Sequence, residues 1–362
     1  MTQISGDADL PTRFRLHADA IERAGRSPLS VGLMRGAADD IESGGILAEL
    51  LEGVPLPSGQ APALRVLAAL HRLVLEGRAP QLAPSYSTVG GTRPPVGIWQ
   101  AAGAALRSNA DEAMPSLRRG VQTNEPGRSA VLFGVLLSVA QRYCMPVRLY
   151  EIGASAGLNL LAQQFAYRIG ATTLGDSSSP LVFQDPWISS PAEDPAGASA
   201  DLAVTERRGC DLAPIDATSP DGQLTLLSYI WPDEPERVAR MRAAFVVAER
   251  NRPVVDEEAA DSWLERVLAP GWGGVAWGGG VTVVWQSVVA QYLSAETRSR
   301  IDDVIGETGE RATGENPVVY ARMEPGTLQT PGFCVSVTHW PDGESVVLAS
   351  AGDHGPPVRW ID

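Results

Sequence analysis

Apolar positions in the first third of the chain recur at helical spacing. The run "RFRLHADAIERA" sets apolar and small residues one turn apart, and "SPLSVGLMRGAADDI" starts with Ser27 as an N-cap and Pro28 in the first helical position. In "APALRVLAALHRLVLEG", Leu64, Leu67, Ala68, Leu70, Leu73 and Leu75 predict a further helix, with Gly77 as its C-terminal stop. A Pro/Gly-rich loop over 79–95 follows, and then a helix pair over 97–119.

The pattern changes near residue 124. "SAVLFGVLLSVAQRY" reads as a helix, "PVRLYEIG" as a short apolar strand, and "LNLLAQQF" as a helix again. Strand, glycine loop and helix in that order open a parallel sheet. Further strands are expected at 180–185, 202–209, 223–231, 280–287, 317–324, 333–340 and 345–352, with a strong helix in "EPERVARMRAAFVVAER". The last two strands are joined by "PDG" and should pair antiparallel. The fold expected is α/β: a helical region over 1–120, then a Rossmann-like domain over 121–362, its sheet mostly parallel with an antiparallel C-terminal edge.

Composition narrows the chemistry. Apolar residues make up 44% and charged residues 20% of the chain, as in an ordinary globular protein. A net charge of −14 repels phosphate backbones and anionic lipid, so neither nucleic acid nor a membrane surface is an expected partner. All 29 basic residues are arginine, which excludes a GK[ST] phosphate loop, a lysine Schiff base and a Ser-Lys dyad within this chain. Cys144, Cys210 and Cys334 are odd in number and far apart, the usage of a reducing compartment. The N-terminal residues have no signal-peptide pattern, and no apolar run reaches the roughly 18 residues of a membrane span. A cytoplasmic protein acting on a small molecule is expected.

Open α/β sheets bind ligands beyond the carboxyl ends of their strands. Polar residues gather at several predicted strand ends. Glu151, Gly153, Ala154, Ser155, Gly157 and Asn159 follow the first strand; Asp185 ends the next; "RRGCDLAPID" supplies Asp211 and Asp216. "YIWPDE" supplies Trp231, Asp233 and Glu234, and "WQSVVAQYL" supplies Gln286, Ser287 and Gln291. Upstream, "QTNEPGRSAVL" bunches Gln122, Asn124, Glu125 and Arg128 before an apolar helix. Asn124 suits an N-cap and Glu125 the first turn, which leaves Gln122 and Arg128 for a ligand.

The stretch "YEIGASAGLN" carries two readings. As strand, glycine loop and helix with Glu151 two residues before the first glycine, it resembles motif I of class I S-adenosylmethionine-dependent methyltransferases. Ser155 stands where many members have a second glycine. The resemblance implies that residues 151–159 hold the methionine portion of the cofactor, that Asp185 or Asp211 meets its ribose or adenine, and that Gln122, Asn124, Glu125, Arg128 and Trp231 line the acceptor pocket. Asp233 is then the residue expected to orient or deprotonate the acceptor. A methyltransferase-type sheet would have seven strands with this one central. The chain also resembles a bacterial family known only as a domain of unknown function, through "LHRLVLEGRAP", "QTNEPGRSA", "EIGASAGLNLL", "RRGCDLAPID" and "YIWPDE", over roughly residues 10–290.

As G-x-S-x-G, the same stretch reads as a nucleophile elbow, with Ser155, Asp233 and His354 in the chain order of an α/β-hydrolase triad. That fold has an eight-stranded sheet with several strands before the elbow, where this chain has helices, and Glu151 would oppose an oxyanion beside Ser155. A third reading is a non-catalytic protein that keeps the fold. His17, His71 and His339 read as helix or strand residues, and no spacing suits a metal. Trp272 and Trp277 in "GWGGVAWGGG" are candidate lid residues.

Overall fold

A computed structural model describes residues 8–56, 61–270, 279–326 and 332–361. Trp272 and Trp277 lie outside the described residues. Twelve helices are described: α1 (Leu10–Arg23), α2 (Pro28–Glu42), α3 (Ile46–Leu51), α4 (Pro62–Leu75), α5 (Ile98–Ser108), α6 (Ala110–Arg118), α7 (Ser129–Tyr143), α8 (Pro195–Asp201), α9 (Pro220–Ser228), α10 (Pro235–Arg250), α11 (Ala260–Val267) and α12 (Ala295–Glu310). The strands are β1 (Val147–Ile152), β2 (Ala166–Ile169), β3 (Thr172–Gly175), β4 (Val182–Gln184), β5 (Val204–Asp211), β6 (Val255–Glu257), β7 (Val281–Ser287), β8 (Val318–Pro325), β9 (Phe333–Trp340), β10 (Glu344–Gly352) and β11 (Gly355–Trp360). Among the described residues no helix is long and apolar enough to cross a membrane.

The chain forms two compact units, one of Met1–Thr123 with Ser219–Arg242 and the other of Asn124–Thr218 with Ala243–Asp362. The helical unit therefore includes residues 219–242, a segment the hydrophobic pattern assigns to the sheet. The strand expected over 223–231 is the helix α9. Its N-terminus explains why: Ser219 accepts from the Gly222 amide, Pro220 opens the first turn and Asp221 follows. Trp231 and Asp233 consequently follow a helix, not a strand.

The buried ring of His71 on α4 ties this segment down. Its Nδ1 lies 2.9 Å from the Ile230 carbonyl, which can only accept, so Nδ1 donates. Nε2 then accepts from the Thr88 hydroxyl at 2.8 Å. Burial pushes the His71 pKa down to about 4, so the ring stays neutral. Ser27 caps α2 as its sequence implies, accepting from the Ser30 amide. Asp233 adds to that terminus, accepting from the Ser27 hydroxyl at 2.5 Å and the Leu29 amide at 3.3 Å. Asp233→Ala is expected to cost about 1–2 kcal/mol in urea unfolding; unchanged stability would remove this capping role.

The second unit is built on an eight-stranded sheet, ordered β11-β10-β9-β8-β7-β1-β5-β6. β6, β5, β1, β7 and β8 run parallel, while β8 to β11 alternate as an antiparallel meander. Numbered by order of appearance in this sheet, the parallel strands read 3-2-1-4-5, the Rossmann order. The sheet is thus Rossmann-like with an antiparallel C-terminal edge, and β1, its first strand, sits inside it. It has eight strands where a methyltransferase-type sheet would have seven.

Both faces of β1 are covered, so the strand reads as an apolar run. One face packs Tyr150 and Ile152 with Val284 and Tyr320 against Trp263, Leu264, Ile301 and Ile305 of α11 and α12. α7 packs against the edge strand β11: a Cβ on Gly134 would lie 1.9 Å from the Trp360 ring, so the helix approaches that ring only because it carries no side chain there.

Several local expectations change. Residues 158–164 form a 3-10 helix, entered through Gly157 in the left-handed region. The strand expected at 180–185 contributes β4 to a separate sheet ordered β3-β2-β4. β11 occupies what reads as a late loop, because Pro356 and Pro357 obscure it; an edge strand tolerates their missing N–H groups.

Candidate functional site

Strand order reverses between β1 and β7, and an open sheet offers a crevice at such a switch point. The loop after β1 is shaped for close contact. Gly153, Ser155 and Gly157 take φ of +65°, +53° and +70°. A Cβ on Gly153 would sit 2.5 Å from Val289 Cγ2 in the loop after β7, so the two crossover loops meet there. The left-handed region costs a non-glycine residue roughly 1–2 kcal/mol, which explains why glycine is the easier residue at position 155. Neighbouring bonds offset this cost. The Ser155 amide donates to Asp211 Oδ2 at 3.0 Å, and the Ser155 carbonyl accepts from the Ile215 amide at 3.1 Å.

Asp211, at the end of β5, also accepts from the Ala213 amide through Oδ1 at 3.0 Å. Its first role is to fasten the glycine loop to β5. Ala154 rests directly on that strand: its amide donates to the Cys210 carbonyl at 2.9 Å, and a Cβ on Gly209 would lie 2.5 Å from Ala154 Cβ.

Glu151 is the central observation. It is 1% exposed, one residue before the end of the interior strand. Its Oε1 accepts from the Asn159 side-chain amide at 3.4 Å, and Asn159 Oδ1 in turn accepts from the Ser129 hydroxyl at 2.9 Å. Oε2 is buried and has no hydrogen-bond partner among the described residues. Burial pushes the Glu151 pKa up to about 8; Asn159 and Arg128 pull it down, and the Asp211 charge raises it further. A buried acceptor left without a donor costs about 1–3 kcal/mol.

A second carboxylate occupies the same edge. Glu324, at the end of β8, takes three donors on Oε1: Gln286 Nε2 at 2.8 Å and the amides of Val289 and Ala290, each at 3.2 Å. Its other oxygen, Oε2, is buried and has no partner. Gln286 is itself oriented by the Tyr320 hydroxyl at 2.6 Å. Burial raises the Glu324 pKa; Gln286, the two amides and the Arg128 charge oppose it. The Arg128 guanidinium reaches the carbonyls of Ser287, at 3.3 Å, and Asp353, at 3.2 Å, across the ends of β7 and β10.

The structure thus gathers Glu151, Gly153, Ala154, Ser155, Gly157, Asn159, Asp211, Asn124, Glu125 and Arg128 in the sheet unit, and leaves four expected residues away from the main sheet's edge. Gln122, Trp231 and Asp233 belong to the helical unit. Asp185 lies at the end of β4 in the small sheet, accepting from the Gly170 amide, and so is not at the main sheet's edge. Asn124 is not an N-cap: its Oδ1 accepts from the Leu158 amide at 2.9 Å, while Glu125 caps the turn at Gly127. Arg128 is already bonded to two carbonyls rather than held only for a ligand. His354 sits in the β10–β11 turn with its Nδ1 3.6 Å from an Asp353 carboxylate oxygen. Glu324 escapes a sequence reading because its meaning lies in register. It is the carboxylate of "ARMEP" at the end of an apolar strand, the signal that points to Glu151.

Among the described residues no group of three or more His, Cys, Asp or Glu is arranged to hold a metal ion. All three cysteines are free. A family model described as an uncharacterized protein conserved in bacteria (DUF2332) matches residues 12–360. No curated protein and no solved structure matches the chain.

Proposed function

The chain belongs to that bacterial family, DUF2332, and on this premise we propose that it is an S-adenosylmethionine-dependent methyltransferase acting on a small molecule in the cytoplasm. The observation that carries the reading is Glu151 Oε2, a buried acceptor without a donor at the switch point of a Rossmann-ordered sheet. An ammonium group supplies both the missing donor and the charge that a desolvated carboxylate lacks. The methionine portion of the cofactor carries such a group, so the residues fit it at this end. Asn159 holds the carboxylate from its other side, and Asp211 fastens the glycine loop that follows it. When bound, the cofactor supplies a methyl group on sulfonium sulfur; the protein's own task is to bind, orient and exclude water.

A thermal-shift titration with S-adenosylmethionine tests the reading: a concentration-dependent rise in melting temperature is expected. No shift at millimolar cofactor would sink it.

The hydrolase reading keeps the left-handed backbone of Ser155 directly after a strand and the count of eight strands, of which none precedes β1 in sequence. Against it, Asp233, the acid it needs, is engaged at the start of α2. Fluorophosphonate is therefore expected not to label the protein, and Ser155→Ala is expected to keep cofactor affinity within about threefold. Labelling abolished by that substitution would reverse the ranking.

A further inference from the structure

Two buried glutamates, Glu151 and Glu324, share the switch point. Glu151 feels the charges of Arg128 and Asp211, and Glu324 feels that of Arg128. Both buried glutamates therefore lie within reach of the Arg128 charge. S-adenosylmethionine carries one ammonium, so its binding would leave one of the two glutamates without such a partner.

The bonding around Glu324 identifies which. Three N–H donors converge on Oε1, whereas Oε2 is closed to solvent and has none among the described residues. Packing explains the first oxygen: it latches the loop after β7 onto β8. It gives no reason for the second. An apolar or amide side chain at position 324 would avoid the cost of burying that oxygen.

We propose that Glu324 Oε2 is the subsite for the methyl acceptor, and that the acceptor is a small protonated amine. This rests on the cofactor reading above. Glu324 binds the ammonium and then serves as its base. The proton leaves the nitrogen for Oε2, the freed lone pair forms the bond to the methyl carbon, and the electron pair of the broken carbon–sulfur bond remains on sulfur. Burial, which raises the proton affinity of Glu324, favours this transfer. Gln286 and Tyr320 act as positioning residues, holding Oε1 so that Oε2 is left for the amine.

The experiment compares wild type with Glu324→Gln, whose amide oxygen keeps the bonds from Gln286, Val289 and Ala290 while an NH2 replaces Oε2. Calorimetry is run with n-butylamine and with its neutral isostere n-butanol, each with and without S-adenosylhomocysteine. Butylamine is expected to bind wild type, butanol to bind at least about tenfold more weakly, and the variant to lose butylamine by about tenfold or more. The variant's melting temperature should be no lower than that of wild type, and S-adenosylhomocysteine affinity should match in both proteins. Equal binding of amine and alcohol, retention of the amine by the variant, or no amine binding by wild type would each overturn the proposal. Glu324-dependent amine binding without any S-adenosylhomocysteine binding would keep the amine subsite and overturn its tie to methyl transfer, along with the cofactor reading alone.

Discussion

Glu151→Gln is expected to lose the cofactor and to make the protein more stable in alkaline buffer. Both effects follow from one carboxyl. Removing a buried charge partner from an ammonium costs about 2–5 kcal/mol, so S-adenosylhomocysteine affinity should fall by about a hundredfold. The stability effect has a definite sign. The folded Glu151 pKa, about 8, lies above its ordinary value of 4.5. Between those values the folded protein holds a proton that the unfolded chain releases, so stability falls as pH rises through this window. The penalty is complete above pH 8 and amounts to a few kcal/mol, at about 1.4 kcal/mol per pKa unit. Glutamine has no proton to lose. Melting curves of the two proteins should coincide near pH 4.5 and separate by several degrees at pH 9, with the variant higher. A variant less stable than wild type at pH 9 would mean that the carboxylate is satisfied in the folded state.

Gly209→Ala is the substitution expected to do most damage for its size. The new Cβ would lie 2.5 Å from Ala154 Cβ and 3.2 Å from the Glu151 carbonyl oxygen. Neither is the far end of a flexible side chain, so the β1 loop must shift. Overpacking of this kind costs about 1–3 kcal/mol, and a loop moved by half an ångström or so no longer presents Glu151 as built. Both melting temperature and S-adenosylhomocysteine affinity should drop. Gly306 in α12 is the control, since a Cβ there meets nothing within 4 Å. Gly306→Ala should leave binding intact and raise stability by up to about 1 kcal/mol through helix propensity. Equal behaviour of the two variants would show that Gly209 is not where the loop is braced.

Local signals carried most of the fold. Ser27 and Pro28 mark α2, and Glu151 with its glycines marks the turn out of β1, because caps and turns act over a few residues. Errors came where two local signals compete. In "QLTLLSYIW" the apolar run reads as a strand, yet Ser219, Pro220 and Asp221 just upstream form a helix start that outweighs it. That signal was available. The non-local part of the site was not. Nothing near Glu324 announces that Gln286 reaches it from β7, or that two loop amides share its oxygen; parallel register brings residues 38 positions apart together. Likewise Asp233 reads as a strand-end acid until the neighbouring helix is recognised, and its partner Ser27 is 206 positions away.

The central claim is that Glu151 is the cofactor's ammonium partner. Its most direct test is calorimetric titration of S-adenosylhomocysteine at pH 7 in two buffers of different ionisation enthalpy. A Glu151 that is largely protonated when free, with a pKa of about 8, must ionise to bind the ammonium, so nearly one proton should be released. Affinity should rise from pH 6 towards about 8 and fall above it, where the ligand's α-amino group loses its own proton. Glu151→Gln should show neither the proton release nor the rise. Equal affinity in the two proteins, with no proton released by wild type, would contradict the account.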